Sequence, residues 1–177
     1  MQHGTGFGTG FLLLAAAWCA ACGTSQQGSY PQPLPPPETL EENMREDGFV
    51  FAAGTEVQRD YDGRVRKGTI AQARTVAGVR LPAGTVVWLD AGRVLQARPP
   101  ERVGIGGIEA AARAPIRFAL PKVWDTFEVC LAEPHGRYPA GVFVELRWSG
   151  DEAPARIVGR SDIDTLMEEA NLGAGCR

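Results

Sequence analysis

Histidine is nearly absent from this chain of 177 residues, which has only His3 and His135. A zinc site or a nucleophile–base triad needs several convergent partners. His135 lies between Pro134 and Gly136 with Glu133 as the one carboxylate within four residues, so it reads as a surface-loop residue. Aromatic residues are few, at 8%. No basic block or basic-aromatic stripe occurs; 18 basic and 21 acidic residues are interspersed, for a net charge of −3. Nucleic acid is therefore not an expected partner. CxxC is missing outside the first 22 residues, and Gly104-Ile105-Gly106-Gly107 lacks both GxGxxG spacing and a following Lys-Ser/Thr, so it reads as a turn or bulge. No apolar run approaches the ~20 residues that span a bilayer. Glycine (22) and proline (13), in contrast, are plentiful and suit short strands joined by many turns.

The longest apolar run, residues 11–21, is only 11 residues long and leads straight into Cys22 through Ala20 and Ala21. That length matches a signal-peptide core. No Asp, Glu, Lys or Arg occurs in residues 1–22. The segment resembles bacterial lipoproteins of the signal peptidase II type, although Cys19 stands where a leucine-like residue is usual and no Lys or Arg precedes the core. The resemblance implies that residues 1–21 are removed, that Cys22 carries lipid, and that the chain is anchored to a membrane in the cell envelope. Gly23 follows Cys22, where an acidic residue is the usual inner-membrane retention signal, so the expected location is the outer membrane, facing the periplasm.

Of the four cysteines, this leaves Cys130 and Cys176. In an oxidising compartment their default state is a structural disulfide. It would close a loop of 47 residues, for which the chain-entropy model gives about 4 kcal/mol.

Residues 22–48 read as a spacer after the lipidated cysteine: Pro31, Pro33, Pro35, Pro36 and Pro37 favour an extended, stiff conformation. Residues 49–112 contain a repeat. Ala53-Gly54-Thr55-Glu56-Val57 recurs after 30 residues as Ala83-Gly84-Thr85-Val86-Val87, and Asp62-Gly63-Arg64-Val65 after 29 as Ala91-Gly92-Arg93-Val94. Val76, Gly78 and Val79 match Ile105, Gly107 and Ile108 in the same register. Two β-hairpin units are expected, turning at Asp62-Gly63, Ala91-Gly92 and Ala77-Gly78. Asp60-Tyr61-Asp62-Gly63 has Arg64 fifth and Ala71 twelfth where a calcium loop needs ligands, so a hairpin turn is the better reading.

Residues 113–177 change character. Trp124, Phe127, Cys130 and Leu131 fall at helical spacing over 124–132, residues 142–148 alternate as a strand with a partner at 155–158, and Ser161 opens a second helix that runs to Leu172. Cys130, Pro139, Gly141, Val142, Val144 and Ser161 give this part a resemblance to periplasmic TonB-like C-terminal modules, which implies a helix-strand-strand-helix order. The fold class expected is mainly β, with a hairpin repeat followed by a small α+β domain.

Asp151-Glu152 and Glu168-Glu169 read as solvated pairs, and Ser161 as a helix cap outside any GxSxG setting. No catalytic residue, metal ligand or cofactor is expected. The functional expectation is an envelope lipoprotein that binds or scaffolds without catalysis, its partners being the membrane and an envelope protein or cell-wall component. The alternatives are a cell-envelope hydrolase with a site assembled from scattered residues and a TonB-like interaction module.

Overall fold

The computed structural model describes residues 33–118, 126–149 and 154–160. Those from Leu34 onward belong to one compact unit, and all are strands, turns or loops. After β1 (Glu38–Thr39) the same four-strand pattern occurs three times. The first unit is β2 (Met44–Glu46), β3 (Phe49–Phe51), β4 (Glu56–Arg59) and β5 (Val65–Thr69). The second is β6 (Arg74–Val76), β7 (Val79–Leu81), β8 (Val86–Asp90) and β9 (Arg93–Arg98). The third is β10 (Val103–Ile105), β11 (Ile108–Ala110), β12 (Ile116–Phe118) and β13 (Thr126–Cys130). A last hairpin, β14 (Phe143–Arg147) and β15 (Arg156–Arg160), follows.

Within each unit the first two strands form a small ribbon, and the last two join a nine-stranded antiparallel sheet in the order β1-β4-β5-β8-β9-β12-β13-β14-β15. The sheet passes without a break across residues 112 and 113. Each ribbon turns on two successive residues of positive φ: Asp47-Gly48, Ala77-Gly78 and Gly106-Gly107. That is what a two-residue hairpin turn with the twist of its strands requires. Connections of four, four and five residues then carry the ribbons back into the sheet. In the first two, Thr55 and Thr85 donate their hydroxyls to the carbonyls of Ala52 and Pro82, at 2.6 and 2.7 Å.

The mainly β architecture agrees with the sequence, and a third unit joins the two expected. It occupies the same geometry without the same residues: Arg113 adopts the positive φ that Gly54 and Gly84 adopt, and Ala114 stands where Thr55 and Thr85 stand. The helix expected over 124–132 is a correction: Thr126–Cys130 is strand β13, paired on both sides, with β12 and β14. The strand buries Phe127 and Val129 on one face and Cys130 on the other, and burial on both faces mimics helical spacing. The helix expected from Ser161 to Leu172 lies outside the described residues.

Burial follows the pleat. Val57, Val65, Val87, Leu89, Val94, Ala97, Ile116, Phe127, Val129, Val144 and Leu146 join one apolar cluster with Phe49, Phe51, Val79, Leu81, Ile105 and Ile108 of the ribbons. The ribbons thus roof one face of the sheet, which is needed because a two-stranded ribbon buries too little alone. Arg59 ties the first ribbon to the sheet by donating to Glu46 at 2.9 Å and to Glu38 at 2.8 Å. These hydrogen bonds, that to Glu46 first, raise the guanidinium pKa above its ordinary value. At the other end, Ala155 N–H donates to Gly106 C=O at 2.8 Å; a Cβ on Gly106 would lie 2.5 Å from that nitrogen, so only glycine fits there.

Roof and sheet are matched in size. Phe51 lies over Gly68, where a Cβ would come within 2.6 Å of the ring. At the equivalent positions of the second unit stand Leu81 and Ala97, and of the third Ala110 and Val129, all buried. The bridges Phe51↔Ile70 and Ala110↔Leu131 fix that equivalence. As the roof residue shrinks from Phe to Leu to Ala, the sheet residue grows from Gly to Ala to Val, which keeps the interior filled at close-packed density.

Two outcomes follow for stability. Gly68→Ala should overpack the core and cost about 1–3 kcal/mol in denaturant unfolding. Phe51→Leu in the same chain should restore part of the loss, because the pair then has the sizes of Leu81 and Ala97 at the equivalent positions; losses that merely add would refute the size match. Val57→Ala and Val87→Ala, at equivalent and fully buried sites, should each cost about 1–3 kcal/mol, whereas Arg64→Ala should change the unfolding midpoint little.

Candidate functional site

The face of the sheet away from the ribbons carries a continuous cross-strand row. Register places Gln58 opposite Lys67, Lys67 opposite Trp88, Trp88 opposite Gln96, Gln96 opposite Arg117, Arg117 opposite Glu128, and Glu128 opposite Glu145. Each has a buried inward neighbour in its strand, such as Val57, Gly68, Val87, Ala97 and Ile116. Alternation therefore turns the row outward.

Trp88 is the aromatic centre of this row and is half-buried. The Lys67 ammonium lies 5.3 Å from its ring centroid and the Arg98 guanidinium 5.7 Å. Lys67 is directly opposite; Arg98 comes from the neighbouring row, paired with Val86, and reaches diagonally. Such contacts hold each cation by attraction to the negative ring face. Neither Lys67 nor Arg98 pairs with a carboxylate among the described residues. Arg117 does, with Glu128 at 3.8 Å. The row runs from amide, cation and aromatic at one end to carboxylates at the other.

A concavity of about 210 Å³ lies on the ribbon side between Phe49, Val76, Val94, Phe118 and Phe127. Its walls are mainly apolar. Arg74 also lines it, with its guanidinium 4.0 Å from the Phe49 ring centroid.

The groups singled out from the sequence take separate places. His135 forms a tight turn with Tyr138 through reciprocal backbone hydrogen bonds of 2.9 and 3.0 Å, and it is exposed. Glu133 pairs with Arg102 at 2.6 Å. Asp60 accepts from the N–H groups of Asp62 and Arg64, each at 2.9 Å, and so organises a turn. Gly106-Gly107 is a ribbon tip. Cys130 is buried beside Ala114 and Phe143. Cys22, Cys176, Ser161, Asp151, Glu152, Glu168 and Glu169 lie outside the described residues. Among the described residues no group of three His, Cys, Asp or Glu could hold a metal ion, and no helix is long and apolar enough to cross a membrane.

Sequence reasoning passed over Trp88, Lys67 and Arg98. They are neighbours only through strand pairing, and the available signal in the sequence is the one Trp within the β-prone run Val86–Asp90. No known family model matches the chain, and no curated protein or solved structure matches it.

The proposed bridge from Cys130 to Cys176 has a direct check. Peptide mapping of the protein purified without reductant should recover the two cysteines as one linked fragment, and reduction should lower the unfolding midpoint. Quantitative alkylation of both thiols before reduction would exclude the bridge.

Proposed function

We propose that the chain is a lipid-anchored envelope lipoprotein whose β domain binds a partner without catalysis. The observation that carries the anchoring is the 11-residue apolar run ending at Ala20-Ala21-Cys22, too short to span a bilayer and followed by a proline-rich stretch. On this reading Cys22 bears the lipid, the proline-rich stretch between it and β1 holds the body away from the membrane, and the protein faces the periplasm from the outer membrane. The proline portion, at about 3.1 Å per residue, gives the stalk its stiffness.

Support for binding comes from the outward row. Its functional groups are amides, cations, an aromatic ring and, at one end, carboxylates on a rigid sheet, which is equipment for recognition. The nearest basic groups to Trp88 lack carboxylate partners among the described residues and so retain capacity for an external anion.

The anchor is tested by Cys22→Ser. The wild type should fractionate with membranes and show a lipid mass on its amino-terminal peptide. The variant should lose both and accumulate as an uncut or soluble form. A wild type cleaved at another bond and carrying no lipid would overturn the assignment.

A further inference from the structure

The geometry points to the Trp88 platform as a binding site for an acidic polysaccharide, with an anionic sugar seated on the indole between Lys67 and Arg98. The inference deepens the binding role proposed above and rests on it. Two features of the platform select the ligand. Trp88 is partly exposed: the cations that lie over its ring offer charge-assisted hydrogen bonds to a carboxylate, and the part of the indole they leave open offers an apolar surface to the C–H face of a pyranose ring. Gln58 and Gln96 flank that centre in the same row, and their amides both donate to and accept from hydroxyls.

Length and charge refine the class. From Gln58 to Arg117 the row crosses four strand intervals of about 4.8 Å, or about 19 Å, which suits an extended oligosaccharide better than a single sugar. Beyond Arg117 the row continues into Glu128, which is paired with Arg117, and then into Glu145, whose charge lies past that pair. A polymer with a negative charge on every unit would meet repulsion there, so the ligand that fits has its acidic sugars spaced by neutral ones. Nucleic acid fits less well. Its binding draws on several phosphate contacts, whereas this platform holds two cations without a carboxylate partner among the described residues, on a chain of net charge −3.

The test uses the full-length, detergent-solubilised protein and a hyaluronan octasaccharide, in which uronate and neutral sugars alternate. Calorimetric titration should show binding that weakens with added salt. Trp88→Ala should weaken it at least tenfold, and Trp88→Phe should recover part of the loss. Lys67→Gln and Arg98→Gln should each reduce affinity and flatten the salt dependence, with the near-ultraviolet circular dichroism of every variant checking its fold. Equal affinity for a neutral maltooctaose, unchanged affinity in folded Trp88→Ala, or tighter binding of oligothymidylate would each overturn the proposal, the last in favour of nucleic acid. Cys22→Ser separates the two readings: it should lose the anchor and keep the octasaccharide. Absence of octasaccharide binding in an anchored wild type would refute the glycan site alone.

Discussion

A two-stranded ribbon cannot bury its own apolar side, and the architecture follows from that constraint. Each ribbon is forced by a two-residue turn of positive φ into a narrow hairpin, and each is held against the sheet by side chains that alternate inward. The sheet has the complementary need, because a face lined by Val57, Val87, Ile116 and Val144 would otherwise meet water. At roughly 25 cal/mol per Å² of apolar area removed from water, neither layer is stable without the other. The graded exchange of Phe51 over Gly68, Leu81 with Ala97 and Ala110 with Val129 shows how tightly the layers are coupled: volume gained on one side is removed on the other.

The repeat was legible where the chain repeats its chemistry. Ala-Gly-Thr marks the return from ribbon to sheet twice, and the equivalent valines Val57 and Val87, like Val65 and Val94, are buried as their offsets implied. The third return was hidden because Arg113 occupies the left-handed position with a side chain that rarely adopts it, and Ala114 lacks the hydroxyl. Geometry imposed by the neighbouring strands overrode local preference there. The misread helix over 124–132 has a related cause. A central strand buried on both faces loses its period of two, and Phe127, Cys130 and Leu131 then fall at intervals of three and one, as on a helix face. The strand at β14, with Val144 and Leu146 inward and Glu145 outward, kept its alternation and was correctly read.

The candidate site was barely legible, for reasons of register. Lys67, Trp88, Gln96 and Arg117 are spread over 51 positions of sequence and become neighbours only when four strands pair. Bulges complicate the reading further. Gln58 pairs with Lys67 while Arg59 pairs with Val65, leaving Arg66 extra; Trp88 pairs with Gln96 while Leu89 pairs with Val94, leaving Leu95 extra. The same irregularity in the last hairpin leaves Val158 unpaired, which explains why this valine is 53% exposed. A strict alternation drawn through Arg66 or Leu95 would send Lys67 and Gln96 to the wrong face.

The repeat also separates what the scaffold must keep from what it is free to vary. Val57, Val87 and Ile116 occupy one inward position in three successive units, and all three are β-branched and buried. The next residue outward in each unit is Gln58, Trp88 and Arg117, and the facing position on the returning strand is Lys67, Gln96 and Glu128. The six outward residues therefore sit at two equivalent positions, three times over, yet include an aromatic, amides, cations and a carboxylate. Packing fixes the inward set because a lost methylene there leaves a cavity. No comparable constraint acts on the outward set, where side chains meet solvent and one another. A repeat built in this way supplies a rigid grid with interchangeable outward positions, and the placing of Trp88 between Lys67 and Arg98 is a property of that grid rather than a requirement of the fold.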